Sequence, residues 1–210
     1  MENEEVIVER AKTEPEAFGR LYDMYYQPVF GFLFSRTGNV EVAKDLTSET
    51  FFQALKNINK YRVKGKPFKS WLFAIAVAQN GNYFRQRNKV FSITLDECPE
   101  LVAQNDQEPD QLLMEDEVEV EKKEQIFRLR RFMTQLNQKQ QNILTLRFFS
   151  HLSIPEISQV MSMKEGTIKS HLHRALKKLQ VLMTEEEVNI NYERVQPDKS
   201  RITARAARLS

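Results

Sequence analysis

The stretch Glu165–Leu179 constrains the fold more than any other part of the chain. Laid out at 3.6 residues per turn, Ile168, Leu172, Ala175, Leu176 and Leu179 share one face and must pack against something. Thr167, Ser170, His171, Arg174 and Lys178 line the opposite face, with Lys169, His173 and Lys177 on its flanks. Beyond Glu165 that face carries no carboxylate. A row of hydrogen-bond donors and positive charge is what a helix needs to lie in the major groove of DNA. Upstream, Ser153-Ile-Pro-Glu156 has the form of a capping box, with Pro155 in the first turn, where its missing N–H costs nothing. Ile157 and Val160 give this short helix one buried side, and Met161-Ser162-Met163 turns into the basic helix. The pair therefore reads as a helix-turn-helix. Two short helices of an ordinary bundle share much of the same pattern, so this segment alone leaves both readings open.

A chain of 210 residues has room for one or two domains with cores of their own. No apolar run approaches the length of a membrane span, and Met1-Glu-Asn-Glu-Glu5 is the opposite of the basic start of a secretory signal. The single cysteine, Cys98, has no internal partner for a disulfide, which fits a reducing cytoplasm. The net charge of +2 conceals an asymmetry. Residues 91–124 hold twelve carboxylates against Lys122 and Lys123, whereas residues 125–183 hold ten Lys and Arg against Glu156 and Glu165. Residues 1–90 also lean basic, with fourteen cations against ten carboxylates. Two basic blocks joined by an acidic strap is the charge pattern that matters.

Thr13-Glu-Pro-Glu16 reads as a second capping box, opening a helix with Phe18, Leu21, Tyr22 and Tyr25 on one face. Pro28 is expected to interrupt or kink it, Val29–Phe34 continues as a very apolar segment, and Gly38-Asn39 marks a turn. A helix from about Val40 to Ile58 would turn Ala43, Leu46, Phe51, Leu55 and Ile58 inward. A basic loop, Lys60–Lys66, precedes Pro67 and a helix from Phe68 to roughly Lys89. No stretch shows strand alternation. The segment Ser92–Gln111, with Pro99 and Pro109, reads as a linker, and Leu112–Gln125 as an acidic helix leading onward. Ile126, Leu129, Phe132, Met133 and Leu136 form the face of one further helix, and Asn137 caps another bearing Ile143, Leu144, Leu146 and Phe148. The expected architecture is all-α. It comprises two small helical domains, 10–90 and 125–183, a flexible acidic linker at 91–124 and a poorly ordered tail at 184–210. The second domain is a four-helix unit containing the helix-turn-helix.

Both blocks resemble the two domains of an extracytoplasmic-function (group IV) sigma factor of bacterial RNA polymerase. Asp45-Leu-Thr-Ser-Glu-Thr-Phe51 is similar to the family's polymerase-clamp motif, with Ser48 where glutamine is usual. Phe68-Lys-Ser-Trp-Leu-Phe-Ala-Ile-Ala76 resembles the tryptophan-led helix used in promoter opening. Gln135–Gln141, Ile154–Ile157 and Glu165–Ala175 resemble the family's fourth region. The chain departs from the family pattern at Ala78, where Asn is frequent, at Asn82, where Asp is frequent, and at Ser162 and Lys164 in the turn before the recognition helix.

The resemblance implies a role for each cluster. Asp45, Ser48, Glu49, Phe52 and Lys56 form one stripe opposite the core, and they would grip the clamp of core RNA polymerase. Phe52 beside two carboxylates suits an interface anchor better than a solvated face. Tyr61, Arg62, Lys64, Lys66, Phe68, Lys69 and Trp71 interleave rings with cations in the manner of a single-strand binder, although Phe68 or Trp71 would serve equally as core. Asn80, Asn82, Arg85, Gln86 and Arg87 extend that row as proximal promoter contacts. In the recognition helix, Lys169, Arg174 and Lys178 would pair with phosphates, while Thr167, Ser170 and His171 reach base edges. Lys164, Gly166 and His173 complete the distal surface, Gly166 by allowing the backbone close to DNA. His171 and His173 point about 200° apart on a helix and would not share a metal ion.

No Gly-rich phosphate loop or paired-carboxylate site points to enzymatic chemistry, and no cofactor is implied. The reading is a cytoplasmic sigma factor whose partners are core polymerase, promoter DNA and, as a further candidate, an anti-sigma protein, with no membrane insertion. Its competitor is a helix-turn-helix regulator that does not recruit polymerase.

Overall fold

The computed structural model describes residues 3–62, 66–97, 128–129 and 131–195, with side chains through 87 in the first part and through 186 in the last. All regular structure among them is helical: α1 (Glu4–Arg10), α2 (Pro15–Thr37), α3 (Val40–Asn57), a 3-10 turn (Ile58–Lys60), α4 (Phe68–Glu97), α5 (Gln138–Phe148), α6 (Ile154–Met161) and α7 (Glu165–Val195). A helical segment at 131–134 precedes α5.

The helix ends follow local chemistry. Gly38, at φ 69°, closes α2 in the left-handed conformation that glycine adopts without penalty, and the Asn39 side chain accepts from the Val42 amide to open α3. Asn137 and Ser153 form reciprocal capping boxes with Gln140 and Glu156. The box expected at Thr13 does not form. Glu14 is the residue before α2, Pro15 supplies the first turn, and the Glu14 carboxylate pairs with Arg10 at 2.6 Å instead. Nor does Pro28 end α2, which continues to Thr37; Val29, Phe32 and Leu33, beyond the proline, are fully buried and reward the continuation.

Helices α2, α3 and α4 pack mutually, with Leu21, Val29, Phe32, Leu33, Ala43, Phe51, Leu72 and Phe73 at the centre. Helix α1, which lies before the expected domain start at residue 10, closes one end. It buries Ile7 and Val8, and Tyr25 donates to the Glu4 carboxylate at 2.7 Å. The second half does not stand apart. Ile143, Leu146, Leu152, Ile157, Val160 and Ile168 belong to the same apolar cluster as the first half. Helix α6 lies on α4, and α5 touches α2. A separate cluster, Phe132, Met133, Leu136, Leu144, Ala175 and Leu179, joins the 131–134 segment, α5 and α7.

Two boundaries differ from expectation. Helix α4 continues past residue 90 to Glu97, and α7 continues past 184 to Val195, with Arg131 bonded to Glu186 along the extension. The remainder of the expected linker, including Cys98 and the acidic helix at Leu112–Gln125, lies outside the described residues, as does the tail beyond 195.

Candidate polymerase and nucleic-acid interfaces

On α3 the packing faces are Ala43, Thr47, Thr50, Phe51 and Ala54. That leaves Asp45, Ser48, Glu49, Phe52 and Lys56 on the outside together, all exposed. Phe52 is 58% exposed, so its ring belongs to the surface rather than to the core. Leu55, expected inward, is 48% exposed on the same side one turn along. Its inward place is taken by the smaller Ala54, which sits against the crowded α2–α4 core. The stripe is therefore two apolar side chains framed by Asp45 and Glu49, with Gln53 donating to Glu49 at 2.8 Å. Leu55 is the member that periodicity alone assigned to the wrong side.

The ring-and-cation cluster after α3 is rearranged relative to expectation. Tyr61 and Phe68 are buried. Phe68 stands within 6 Å, centroid to centroid, of Tyr25, Tyr61 and Trp71, which makes it core and removes it from any surface. The Tyr61 hydroxyl donates to the Lys66 carbonyl at 2.6 Å, and burial, then the carboxylates of Glu4, Glu5 and Glu9, push its pKa up to about 12. Trp71 is partly exposed, with its ring 4.9 Å from that of Tyr61. Trp71, Asn57, Lys60, Ile75 and Gln79 line a cleft of about 450 Å³ to which both α3 and α4 contribute, with apolar and polar side chains side by side. Asn57, Ile75 and Gln79 carry no sequence signal of their own; only the packing of α3 on α4 brings them beside the tryptophan.

Arg62 is exposed, as are Asn82, Arg85 and Arg87 on α4; Arg85 bonds to Asn82, whereas Arg87 points about 200° away from Arg85. Lys64 lies outside the described residues. Asn80 is not exposed with them. It is fully buried and donates to Asn142 of α5 at 3.4 Å. Lys66 and Lys69 are half-buried under α6. Lys66 Nζ donates to the Gln159 carbonyl at 2.6 Å and to Ser162 Oγ at 3.0 Å, and Lys69 pairs with Glu156 at 3.2 Å. Burial raises the Glu156 carboxyl, but bonds from the Ser153 hydroxyl and amide and from Lys69 outweigh it and hold the group below the usual carboxylate range.

The helix-turn-helix forms as expected. Ser162 ends α6 at φ 52°, in the left-handed region, and α7 follows. Ile168, Ala175 and Leu179 are buried and Leu172 partly so, whereas Leu176 is 43% exposed because the contact surface of α7 is narrower than its apolar stripe. Phe148, likewise expected inward, is 51% exposed where α5 runs out beyond its packing partners. Lys164, Gly166, Thr167, Lys169, Ser170, His173, Arg174 and Lys178 are all exposed, on one continuous surface. Ser170 already donates to the Gly166 carbonyl at 2.9 Å, and Lys178 to the Gln135 carbonyl at 2.6 Å. His171 is partly buried; desolvation, then the charges of Arg174 and Lys139, lower its pKa and favour the neutral ring. Gly166 needs no special backbone angle, so its contribution to the surface is small size alone.

These surfaces sit on a chain with clear relatives. Residues 21–90 match the family Sigma-70 region 2, and residues 126–179 match Sigma-70 region 4. The ECF RNA polymerase sigma factor SigM of Bacillus subtilis is 33% identical over 163 residues, covering 77% of this chain and 92% of SigM. This chain belongs to the ECF sigma factors of RNA polymerase. YlaC of Bacillus subtilis, an RNA polymerase sigma factor, is 31% identical over 78% of this chain and 90% of its own length. The ECF sigma factor BldN of Streptomyces coelicolor is 33% identical over 86% of this chain, which spans 66% of BldN. The fold is similar to that of CnrH in complex with the cytosolic domain of CnrY, at a TM-score of 0.63 and 16% identity over 86% of this chain and 96% of that one. It is also similar to sigma factor RpoE in complex with anti-sigma factor NepR from Bartonella quintana, at 0.56 and 21% over 80% and 96%. The alternative of a helix-turn-helix regulator that does not recruit polymerase is not favoured.

Proposed function

We propose that residues 10–90 of this sigma factor hold the polymerase clamp and open the proximal promoter element. On the same reading residues 125–183 read the distal element, 91–124 span the distance between them, and the tail from 184 has no assigned contact. The observation that carries this reading is the exposed Phe52–Leu55 pair flanked by Asp45 and Glu49. A helix face with no partner of its own gains nothing from two bare apolar side chains, whereas an interface does. The cleft beside Trp71 suits an unpaired base, with the indole as stacking surface and Asn57, Lys60 and Gln79 as hydrogen-bonding rim. Arg62, Arg85 and Arg87 would follow the phosphates. Melting then requires no bond chemistry from the protein: tighter binding to the open strand than to the duplex shifts the equilibrium. On α7, Lys169, Arg174 and Lys178 position the helix on phosphates, and Thr167 and Ser170 face the base edges.

The protein is on this reading an initiation factor rather than an enzyme, acting where polymerase and chromosome are, in the cytoplasm. No helix among the described residues is long and apolar enough to cross a membrane. The similarity to sigma factor RpoE, solved in complex with anti-sigma factor NepR, supports an anti-sigma protein as a regulator. The test is transcription from a genomic promoter library by core polymerase with and without the protein. Specific new transcripts are expected, and they should vanish with Glu49→Lys while DNA binding by the full chain persists. Transcripts that survive Glu49→Lys would remove α3 from the interface.

A further inference from the structure

The cationic side of α7 has a neighbour that belongs to a different helix. His171, Arg174 and Lys178, three and four residues apart, share that side. The chain from Gln135 to Lys139 runs beside it. At one end Lys178 Nζ donates to the Gln135 carbonyl at 2.6 Å, and at the other the charge of Lys139 acts on the His171 ring. Helices α5 and α7 are held together underneath, where Leu144 shares a cluster with Ala175 and Leu179. Lys139 is exposed and pairs with no carboxylate among the described residues. We propose that Lys139 belongs to the distal DNA interface, where it binds a phosphate of the backbone that walls the groove entered by α7. The proposal rests on the reading of α7 given above.

The shape of duplex DNA turns this placement into a contact. A major groove about 12 Å wide accepts a helix of about 10–12 Å diameter, so side chains on the flanks of that helix face the sugar–phosphate walls. A lysine held beyond the flank, on the neighbouring helix, lies over the wall itself. The surroundings favour a phosphate there. No carboxylate occurs between Gln125 and Pro155, so neither α5 nor the segment before it repels an anion. Stability does not account for the residue. Helices α1, α2, α3, α6 and α7 each carry glutamate in the first turn, where it complements the helix dipole, whereas α5 carries Lys139 there. A cation in the first turn destabilises a helix, and a phosphate oxygen against it would offset that cost. Lys178 is already satisfied in part by the Gln135 carbonyl. Lys139 has no such tie, and its ammonium group is free to meet DNA.

Fluorescence anisotropy of a labelled random-sequence duplex of about 30 base pairs, titrated with the full chain at several salt concentrations, counts phosphate contacts. One contact contributes about 0.9 to the salt slope, so Lys139→Gln should reduce the slope by about one and weaken binding roughly fivefold at about 0.15 M salt. Lys139→Glu should weaken binding further while its melting temperature rises, because glutamate suits the first turn of a helix. Lys44→Gln removes one exposed cation from α3, already paired with Glu41, and should leave the slope unchanged. By proton NMR at low salt, Lys139→Gln should move the titration of His171 to higher pH, because a neighbouring positive charge is gone. An unchanged slope in Lys139→Gln beside a reduced one in Arg174→Ala would overturn the proposal, as would an equal effect from Lys44→Gln or an unmoved His171 titration. Weaker binding with a lower melting temperature in both Lys139 variants would also overturn it, since the residue would then be structural. If neither Lys139→Gln nor Arg174→Ala alters the slope, it is the reading of α7 that fails, a result distinct from the others.

Discussion

Replacing Phe52 by alanine separates the interface reading of α3 from a packing role. An aromatic side chain presents roughly 200 Å² when fully accessible, so the 58% exposure of Phe52 leaves roughly 115 Å² for a partner to cover. At about 25 cal/mol per Å², less what the retained Cβ still buries, coverage contributes roughly 2–3 kcal/mol to association. Loss of that amount weakens binding to core polymerase by roughly 30- to 150-fold. The isolated protein should scarcely notice, because an exposed ring stabilises little; a surface substitution of this kind stays within about 0.5 kcal/mol. Two measurements on one preparation are needed: a titration of core polymerase with fluorescently labelled protein, and a thermal melt of the protein alone. Affinity within twofold of the unaltered chain would refute the argument. So would a fall in Tm of several degrees, since that would place the ring in the core. Leu55→Ala, at 48% exposure and with a smaller side chain, should repeat the pattern at lower amplitude.

Ser162→Gly should stabilise the protein by up to about 1 kcal/mol, because Ser162 holds a left-handed φ of 52° that glycine adopts freely. A melt should rise by about 2–4 °C, and no rise would mean that the bond from Lys66 to Ser162 Oγ offsets the relief. Arg174→Ala should weaken binding to the distal element, reduce the salt slope by about one and leave polymerase association intact. Lost association would sink the assignment of roles. Alkaline pH should expose Tyr61: its folded-state pKa of about 12 lies above the ordinary 10.0, so the folded state holds its proton longer. The stability this confers is complete below pH 10.0 and is lost as pH rises towards about 12. Urea unfolding at pH 9 and pH 11 should therefore show a smaller loss in Tyr61→Phe than in the unaltered chain, and equal losses would rule out Tyr61 as a source.

What the sequence determined by itself is whatever local geometry decides. The cap at Asn137, the capping box at Ser153, the turn at Gly38-Asn39 and the two faces of α7 depend on residues no more than four positions apart or on the repeat of the helix itself, and a helix brings those together wherever it lies. For the same reason the outward stripe of Asp45, Ser48, Glu49, Phe52 and Lys56 was legible: its spacing selects one side of any helix. The width of a buried stripe was not. Leu55, Leu176 and Phe148 sit on the margins of apolar faces, and the reach of the neighbouring helix decides whether a marginal residue is covered. Nor does spacing say which side of α4 is covered, so Asn80 read as a promoter contact beside Arg85 and Arg87 although packing buries it next to Asn142. Tertiary structure alone set Lys69 against Glu156, 87 positions away, and placed the uncharged amides of Gln141 and Asn142 around Arg36. Those pairings depend on how two helical blocks dock. Docking is governed by the fit of whole apolar faces, which no pattern along a single helix encodes.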